Sequence, residues 1–264
     1  MSCDGNPESP RPVRKGRYRL HLAPDVSPEV VLTVLSTPGE VLKESRKSRV
    51  ERIGGWVIKR CVGPFLSRSV RLTFRRNRYR RGWRAALHLE RHGVPAPRAV
   101  AYVEKGFGGL LFGNAFIAEY LDGARNVEEY ARAMISGGAG PDAFERFLAS
   151  LADAVNDLNA AGAYHGDLSG KNIFTRDGET FHFIDLDAVE IGAPYTDERR
   201  LASLIQLYDS FCDELSDALL APFVIRMLPP GQDPRVWLPR VREGQAARRA
   251  RLERRRERQR RSDA

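Results

Sequence analysis

Cysteine is close to absent from this chain. The three present, Cys3, Cys61 and Cys212, lie far apart in sequence. That spacing gives no disulfide framework and no paired thiolates for a metal, and it leads to the expectation of a reducing, cytoplasmic compartment. Long apolar runs are missing as well. No stretch approaches the roughly 18 residues of a membrane span, and Met1–Asn6 has no apolar core of the kind a signal peptide carries. Acidic residues are sparse in two segments. Residues 240–264 hold eleven arginines against four acids, and residues 71–91 hold eight arginines against Glu90 alone, so within a net charge of +9 the rest of the chain is mildly acidic. Arginine at such density attracts phosphate-rich surfaces, among them anionic lipid and, less in keeping with the rest of the chain, nucleic acid. The C-terminal segment has one leucine, Leu252, and no aromatic side chain, which excludes a lipid-inserting helix. Two readings of it stay open, a peripheral contact with an anionic membrane and a solvated, fraying helix.

What is present points elsewhere. At 264 residues and 42% hydrophobic content, the chain can bury a real core and build two small lobes. Its most informative stretch is Tyr164-His165-Gly166-Asp167-Leu168-Ser169-Gly170-Lys171-Asn172-Ile173-Phe174, followed by Phe183-Ile184-Asp185-Leu186-Asp187. Asp167 can accept a hydroxyl proton, while Asn172 and Asp185 can hold the magnesium of a nucleoside triphosphate. Five positions separate Asp167 from Asn172, short enough for one loop to aim a base at an acceptor and an amide oxygen at a metal. Between Asn172 and Asp185 an apolar strand, a polar turn at Arg176–Glu179 and a returning strand over Thr180–Ile184 make a β-hairpin, which brings the second carboxylate back beside the first. Magnesium prefers oxygen donors and keeps several waters, so one carboxylate, one amide and phosphate oxygens suffice. The combination reads as a site for phosphoryl transfer from ATP.

These residues resemble the protein-kinase-like superfamily, and within it the small kinases of lipopolysaccharide core sugars, the Kdo and heptose kinases. The catalytic loop is also similar to that of RIO kinases and of aminoglycoside and choline phosphotransferases. The likeness runs from about Val41 to Leu207. It implies an α+β, two-lobe fold: a small antiparallel sheet with one main helix in the N-lobe, and a mainly helical C-lobe. The boundaries expected are a flexible N-terminus at 1–16, an N-lobe at 17–118, a C-lobe at 119–235 and an Arg-rich tail at 236–264. Where ordinary protein kinases have Arg after the motif His and Lys two positions after the Asp, this chain has Gly166 and Ser169. Asp187 to Pro194 is also very short for an activation segment, leaving little room for a peptide platform before a helix expected at Asp197–Phe211. Both departures favour a small or carbohydrate acceptor.

The resemblance assigns further residues. Ile53-Gly54-Gly55-Trp56-Val57-Ile58-Lys59 reads as a turn and a short strand, and by resemblance Lys59 neutralises the α- and β-phosphates. Val41–Val50 suggests two strands joined by a basic turn without the glycines of a phosphate-cradling loop. The Lys43-x-Ser45-x-x-x-x-Val50 pattern, similar to that of the sugar-core kinases, implies that Ser45 and Ser48 replace those backbone contacts. Phe116–Gly123 resembles the kinase hinge, implying adenine contacts through the backbone of Glu119 and Leu121. A helix over Asn77–His92 should carry a glutamate that fixes Lys59. Gly82 stands where it is expected and Glu90 is the only carboxylate available, so either Glu90 pairs with Lys59 from another turn or the pair is absent. Phe144, Phe147, Leu148, Leu151, Val155 and Leu158 recur at helical spacing within Asp142–Ala161 and should be core. The function implied is ATP-dependent phosphorylation of a hydroxyl on a Kdo or heptose of the lipopolysaccharide core. Alternatives are an RIO-like atypical protein kinase or ATPase, and a pseudokinase module binding nucleic acid or an anionic membrane.

Overall fold

A computed structural model describes residues 12–46, 48–62, 77–192 and 194–263. The first eleven residues, Lys47 and the arginines at 71, 75 and 76 lie outside the described residues. The chain divides into two compact units, one made of residues up to Glu90 plus Pro97–Asp122, the other of Arg91–Ala96 plus everything from Gly123.

The first unit is built on strands β1 (Val13–Lys15), β2 (Tyr18–Leu22), β3 (Glu40–Glu44), β4 (Ser48–Ile53), β5 (Trp56–Cys61), β6 (Ala99–Phe107) and β7 (Leu110–Glu119). They form one sheet in the order β1-β2-β6-β7-β5-β4-β3 with every neighbour antiparallel. Val13–Lys15, expected within a flexible terminus, are instead paired to β2. Among the described residues, two helices accompany the sheet. Helix α1 (Pro28–Ser36) starts where Ser27 Oγ accepts the Val30 N–H and Pro28 supplies a preset φ. Its Val31 is buried with Leu20, Ile58, Val103 and Ile117. Helix α2 (Arg78–Arg91) is capped by Asn77, whose Oδ1 accepts the Tyr79 and Arg80 N–H groups at 3.1 and 3.4 Å. Asn77 Nδ2 also donates to the Tyr102 hydroxyl at 2.6 Å, which ties the start of α2 to β6.

The register of the sheet fixes which face carries Lys59. Partners across an antiparallel ladder point to the same side. Lys59 on β5 stands opposite Phe116 on β7, and Phe116 stands opposite Tyr102 on β6. Lys59 therefore shares the Tyr102 face, while its neighbour Ile58 turns into the core with Val31.

In the second unit, strand β8 (Arg125–Asn126) leads into helix α3 (Val127–Ser136), which Asn126 caps through the Glu129 N–H at 3.0 Å. Helix α4 (Pro141–Ala160) follows, with the expected apolar stripe buried. The ring of Phe147 packs on Tyr130, Phe181 and Phe211. Strands β9 (Ala163–His165), β10 (Ile173–Thr175), β11 (His182–Phe183) and β12 (Val189–Ile191) carry the candidate site. Helices α5 (Asp197–Phe211), α6 (Asp217–Arg226) and α7 (Pro234–Asp263) complete the unit. The expected arginine tail is thus one helix beginning at Pro234, anchored by the buried Trp237 and Val241. Among the described residues no helix is long and apolar enough to cross a membrane.

Candidate active site

His165 ends β9 and is the buried centre of the site, 1% exposed. Its Nδ1 accepts the Asp167 N–H at 3.2 Å, so its proton sits on Nε2, which donates to the Ile184 carbonyl at 2.8 Å. Burial pushes the imidazole below its ordinary pKa. A neutral ring therefore joins the segment holding Asp167 to the one holding Asp185. Two backbone hydrogen bonds repeat the connection, Gly166 N–H to the Ala188 carbonyl at 3.0 Å and Ile184 N–H to the Asn172 carbonyl at 2.9 Å. Strand β12 adds a third link by pairing Val189 with His165.

The hairpin expected between the two segments is present, with β10 pairing β11, but its returning strand covers only His182–Phe183. The reason is local. Asp177 Oδ1 accepts the Glu179 and Thr180 N–H groups at 2.9 and 2.8 Å, and Thr175 Oγ1 accepts the Gly178 N–H at 2.8 Å. Side chains thus take the amides a longer ladder would need. The Thr180 and Glu179 N–H groups hold the Asp177 carboxyl down at about 2.

Asp167 is exposed, and Asn172 Nδ2 donates to both its carbonyl (2.8 Å) and its carboxylate Oδ2 (3.1 Å). This spends the amide NH2 on Asp167 and leaves the Asn172 side-chain oxygen as the group to face a cation. Asp185 sits at φ +56°, the single left-handed non-glycine among the described residues, and opens a 3-10 turn at Leu186–Ala188. That conformation costs about 1–2 kcal/mol for an L-residue, and it is held by the stitching on either side of it. Among the described residues no cluster of three His, Cys, Asp or Glu could hold a metal by itself. The donors present, one carboxylate and one amide oxygen, suit magnesium that completes its shell with phosphate and water.

Gly170 shows what the sequence left unread. A Cβ there would lie 2.7 Å from Glu128 Cγ and 3.1 Å from Ser210 Cβ, so only glycine fits. Its N–H donates to Ser210 Oγ at 2.8 Å, and Ser210 Oγ donates to the Gln206 carbonyl at 2.9 Å. Gln206 Nε2 reaches the Gly166 carbonyl at 3.5 Å. Helix α5 therefore grips the loop on both sides of Asp167. The glycine in Ser169-Gly170-Lys171 was the one available signal, since a backbone forced to approach another element selects glycine.

In the first unit, Ser45 and Ser48 close the β3–β4 turn on each other. Ser45 N–H donates to the Ser48 carbonyl at 2.9 Å, Ser48 N–H to Ser45 Oγ at 3.1 Å, and the two hydroxyls are 3.1 Å apart. Glu119 ends β7, and its carboxylate pairs with Arg98 at 3.2 Å. Beyond it the Tyr120 N–H is taken by the Gly55 carbonyl at 2.8 Å, while the Leu121 N–H makes no backbone hydrogen bond among the described residues. Lys59 is half-buried. Glu90 is exposed on the last turn of α2. Gly82 is buried.

Comparison with known proteins bears on the family and the fold. A family model, that of the lipopolysaccharide kinase (Kdo/WaaP) family, matches residues 45–223. The fold is similar to that of WaaP, solved in complex with acyl carrier protein, with a TM-score of 0.61 and 21% identity over 91% of this chain and 98% of that chain. Two structures of WbdD, one described as a bifunctional kinase-methyltransferase, align at 15% identity with TM-scores of 0.42 and 0.43, over 80% and 76% of this chain and 51% and 47% of theirs. No curated protein matches the chain in sequence.

Proposed function

Because the chain belongs to the lipopolysaccharide kinase (Kdo/WaaP) family, and is on that ground a kinase of two-lobe fold, we propose that it phosphorylates a hydroxyl of a Kdo or heptose in the lipopolysaccharide core. ATP is the phosphoryl donor. The observation that carries the reading is the Asn172 amide held against both the carbonyl and the carboxylate of Asp167. In this reading Asp167 orients the acceptor hydroxyl and takes its proton as the phosphoryl group arrives. Asn172 and Asp185 hold magnesium, which when bound neutralises charge on the phosphates. Lys59 adds a second positive charge against the same phosphates, and the backbone at Glu119 and Leu121 holds adenine. His165 stays neutral and fixes the loop. The rate gain comes from positioning and charge neutralisation, with no covalent intermediate on the protein.

The acceptor assignment is supported by the segment after Asp187. It forms β12 and passes directly to α5, whose first turn is capped by Thr196. A segment this short has no length to dock a peptide. We further propose a cytoplasmic enzyme whose basic α7 lies toward an anionic, lipid-bearing surface that presents the acceptor. Asp167→Ala should abolish ATP-dependent phosphate incorporation into core oligosaccharide while leaving the circular dichroism spectrum intact. Unchanged turnover in that variant would sink the assignment. Mass spectrometry of core from cells with and without an active copy should differ by one phosphate.

A further inference from the structure

We propose that helix α7 is a clamp on α5, and that through it Ser210 and Gln206 act as positioning residues for the catalytic loop. The inference rests on Asp167 being the working carboxylate. Ser210 and Asp209 are adjacent on α5, so their side chains diverge by roughly 100° around the helix. Ser210 faces the loop and takes the Gly170 N–H. Asp209 faces α7, where it accepts from Gln245 Nε2 at 3.0 Å, Arg248 Nε at 3.2 Å and Arg249 Nε at 2.6 Å. Arg249 continues onto Asp213 with Nη1 at 2.6 Å and Nη2 at 2.8 Å. Two turns before Arg249 on α7, Arg242 holds Asp217 at the start of α6 with contacts of 3.1 and 2.6 Å.

Packing makes the attachment close as well as charged. A Cβ on Gly244 would stand 2.2 Å from Ile205 Cδ1, so the α7 backbone rests directly on α5, one residue before Gln206. Burial by itself would raise the Asp209 carboxyl, yet the donors from Arg249, Gln245 and Arg248 keep it below its ordinary value. The arginines beyond this contact, Arg251, Arg254, Arg255, Arg256 and Arg258, are exposed. The basic helix therefore has two parts. The proximal part is neutralised by the acids of α5 and its C-terminal turn and by α6, and the distal part faces solvent. The acids served by the proximal part begin at the residue next to the one that holds Gly170. Releasing α7 would let α5 shift at Asp209, and the Gly170 amide would lose its acceptor.

The test uses the full chain. Amide hydrogen exchange should show Gly170 protected in the native protein, and unprotected in the Arg248→Gln/Arg249→Gln double variant and in Ser210→Ala. Turnover with ATP and a Kdo-containing core oligosaccharide as the probe should fall about tenfold in both, a fraction of what a 1 Å misplacement can cost. KM for ATP should stay within about twofold, because phosphate binding is untouched. Combining the substitutions should cost no more than Ser210→Ala alone, since both act through the same contact. Arg251→Gln/Arg254→Gln, in the distal part, should change neither readout. Should the double variant fail to fold, Asp213→Asn removes one of the two carboxylates of Arg249 and should give a smaller loss of the same kind. Unaltered Gly170 exchange on removing the arginines, or fully additive losses of turnover, would overturn the clamp. Turnover surviving Asp167→Ala would instead remove the catalytic reading, while the exchange result still decides the clamp.

Discussion

Replacing His165 with leucine tests the claim that a neutral histidine organises the loop. The side chain is 1% exposed and makes both of its hydrogen bonds to backbone, Nδ1 from Asp167 N–H and Nε2 to the Ile184 carbonyl. Leucine restores comparable bulk but leaves a donor and an acceptor unpaired in a partly buried place. At about 1–3 kcal/mol for each unsatisfied group, less the apolar gain of the new side chain, the cost is about 2–4 kcal/mol. That is a large share of the ~5–15 kcal/mol that holds an ordinary domain folded. The substitution also predicts a change in pH dependence. Burial holds His165 below its ordinary value of 6.5, so the folded state keeps it neutral where the unfolded chain takes up a proton. Stability rises with pH wherever the unfolded state binds more protons. The contribution is therefore fully present above about 6.5 and is lost as pH falls below it. His21 and His182 are also pushed down, first by burial, and add slopes of the same sign. Urea unfolding at pH ~7.5 and ~5.5 should show the native protein losing stability on acidification, and His165→Leu starting lower but losing less. A variant as stable as the parent, or one with the parent's full pH slope, would refute the reasoning.

Gly178→Ala should cost about 2–4 kcal/mol in urea unfolding, because the residue sits at φ +78° and a Cβ would lie 2.8 Å from the Tyr130 ring. The loss would show that the Asp177 turn, on which the Tyr130 hydroxyl also donates at 2.8 Å, is a rigid part of the hairpin. Trp237→Ala should cost about 3–5 kcal/mol and expose α7 to trypsin, since the indole is 2% exposed and its Nε1 donates to Gln232. Arg226→Ala is the control for charge alone. It removes a bidentate pair with Asp153 at 2.7 Å, but both side chains are 51% exposed and screened by water, so the urea midpoint should scarcely move.

The parts of the fold that could be read in advance are those whose determinants are local. The stripe from Phe144 to Leu158 repeats at helical spacing, and the helix expected over Asp142–Ala161 is found at Pro141–Ala160. Thr196 before two acids marked the start of α5, and the helix begins at Asp197. His165, Asp167, Asn172 and Asp185 lie within one supersecondary unit, so spacing alone was enough to expect the β-hairpin between Asn172 and Asp185, which is found as β10 paired with β11. The returning strand was read too long because a pattern of apolar residues does not reveal that Asp177 and Thr175 will take the amides first.

What stayed hidden depends on contacts distant in sequence. Ser210 lies 40 residues from Gly170, and nothing in Leu207-Tyr208-Asp209-Ser210 distinguishes a loop holder from an ordinary helix surface. The arginine tail shows the limit most clearly. By composition it is a charged helix with no reason to stay docked, and a solvated, fraying segment follows from that alone. Its attachment comes from Trp237 and Val241 at the helix start, from Asp209 and Asp217 on other helices, and from Asp213 on the turn after α5. Those acids belong to the mildly acidic remainder of the chain, and charge counts by segment cannot say which of them will meet which arginine. The same holds for Lys59. Its strand was legible, but the face it occupies follows from its register against Phe116 and Tyr102, which only the assembled sheet supplies. Glu90, the one carboxylate on α2, is exposed, and Gly82 is buried. The attachment of α2 to that face runs through Asn77 and the Tyr102 hydroxyl, uncharged groups that a search for an ion pair passes over.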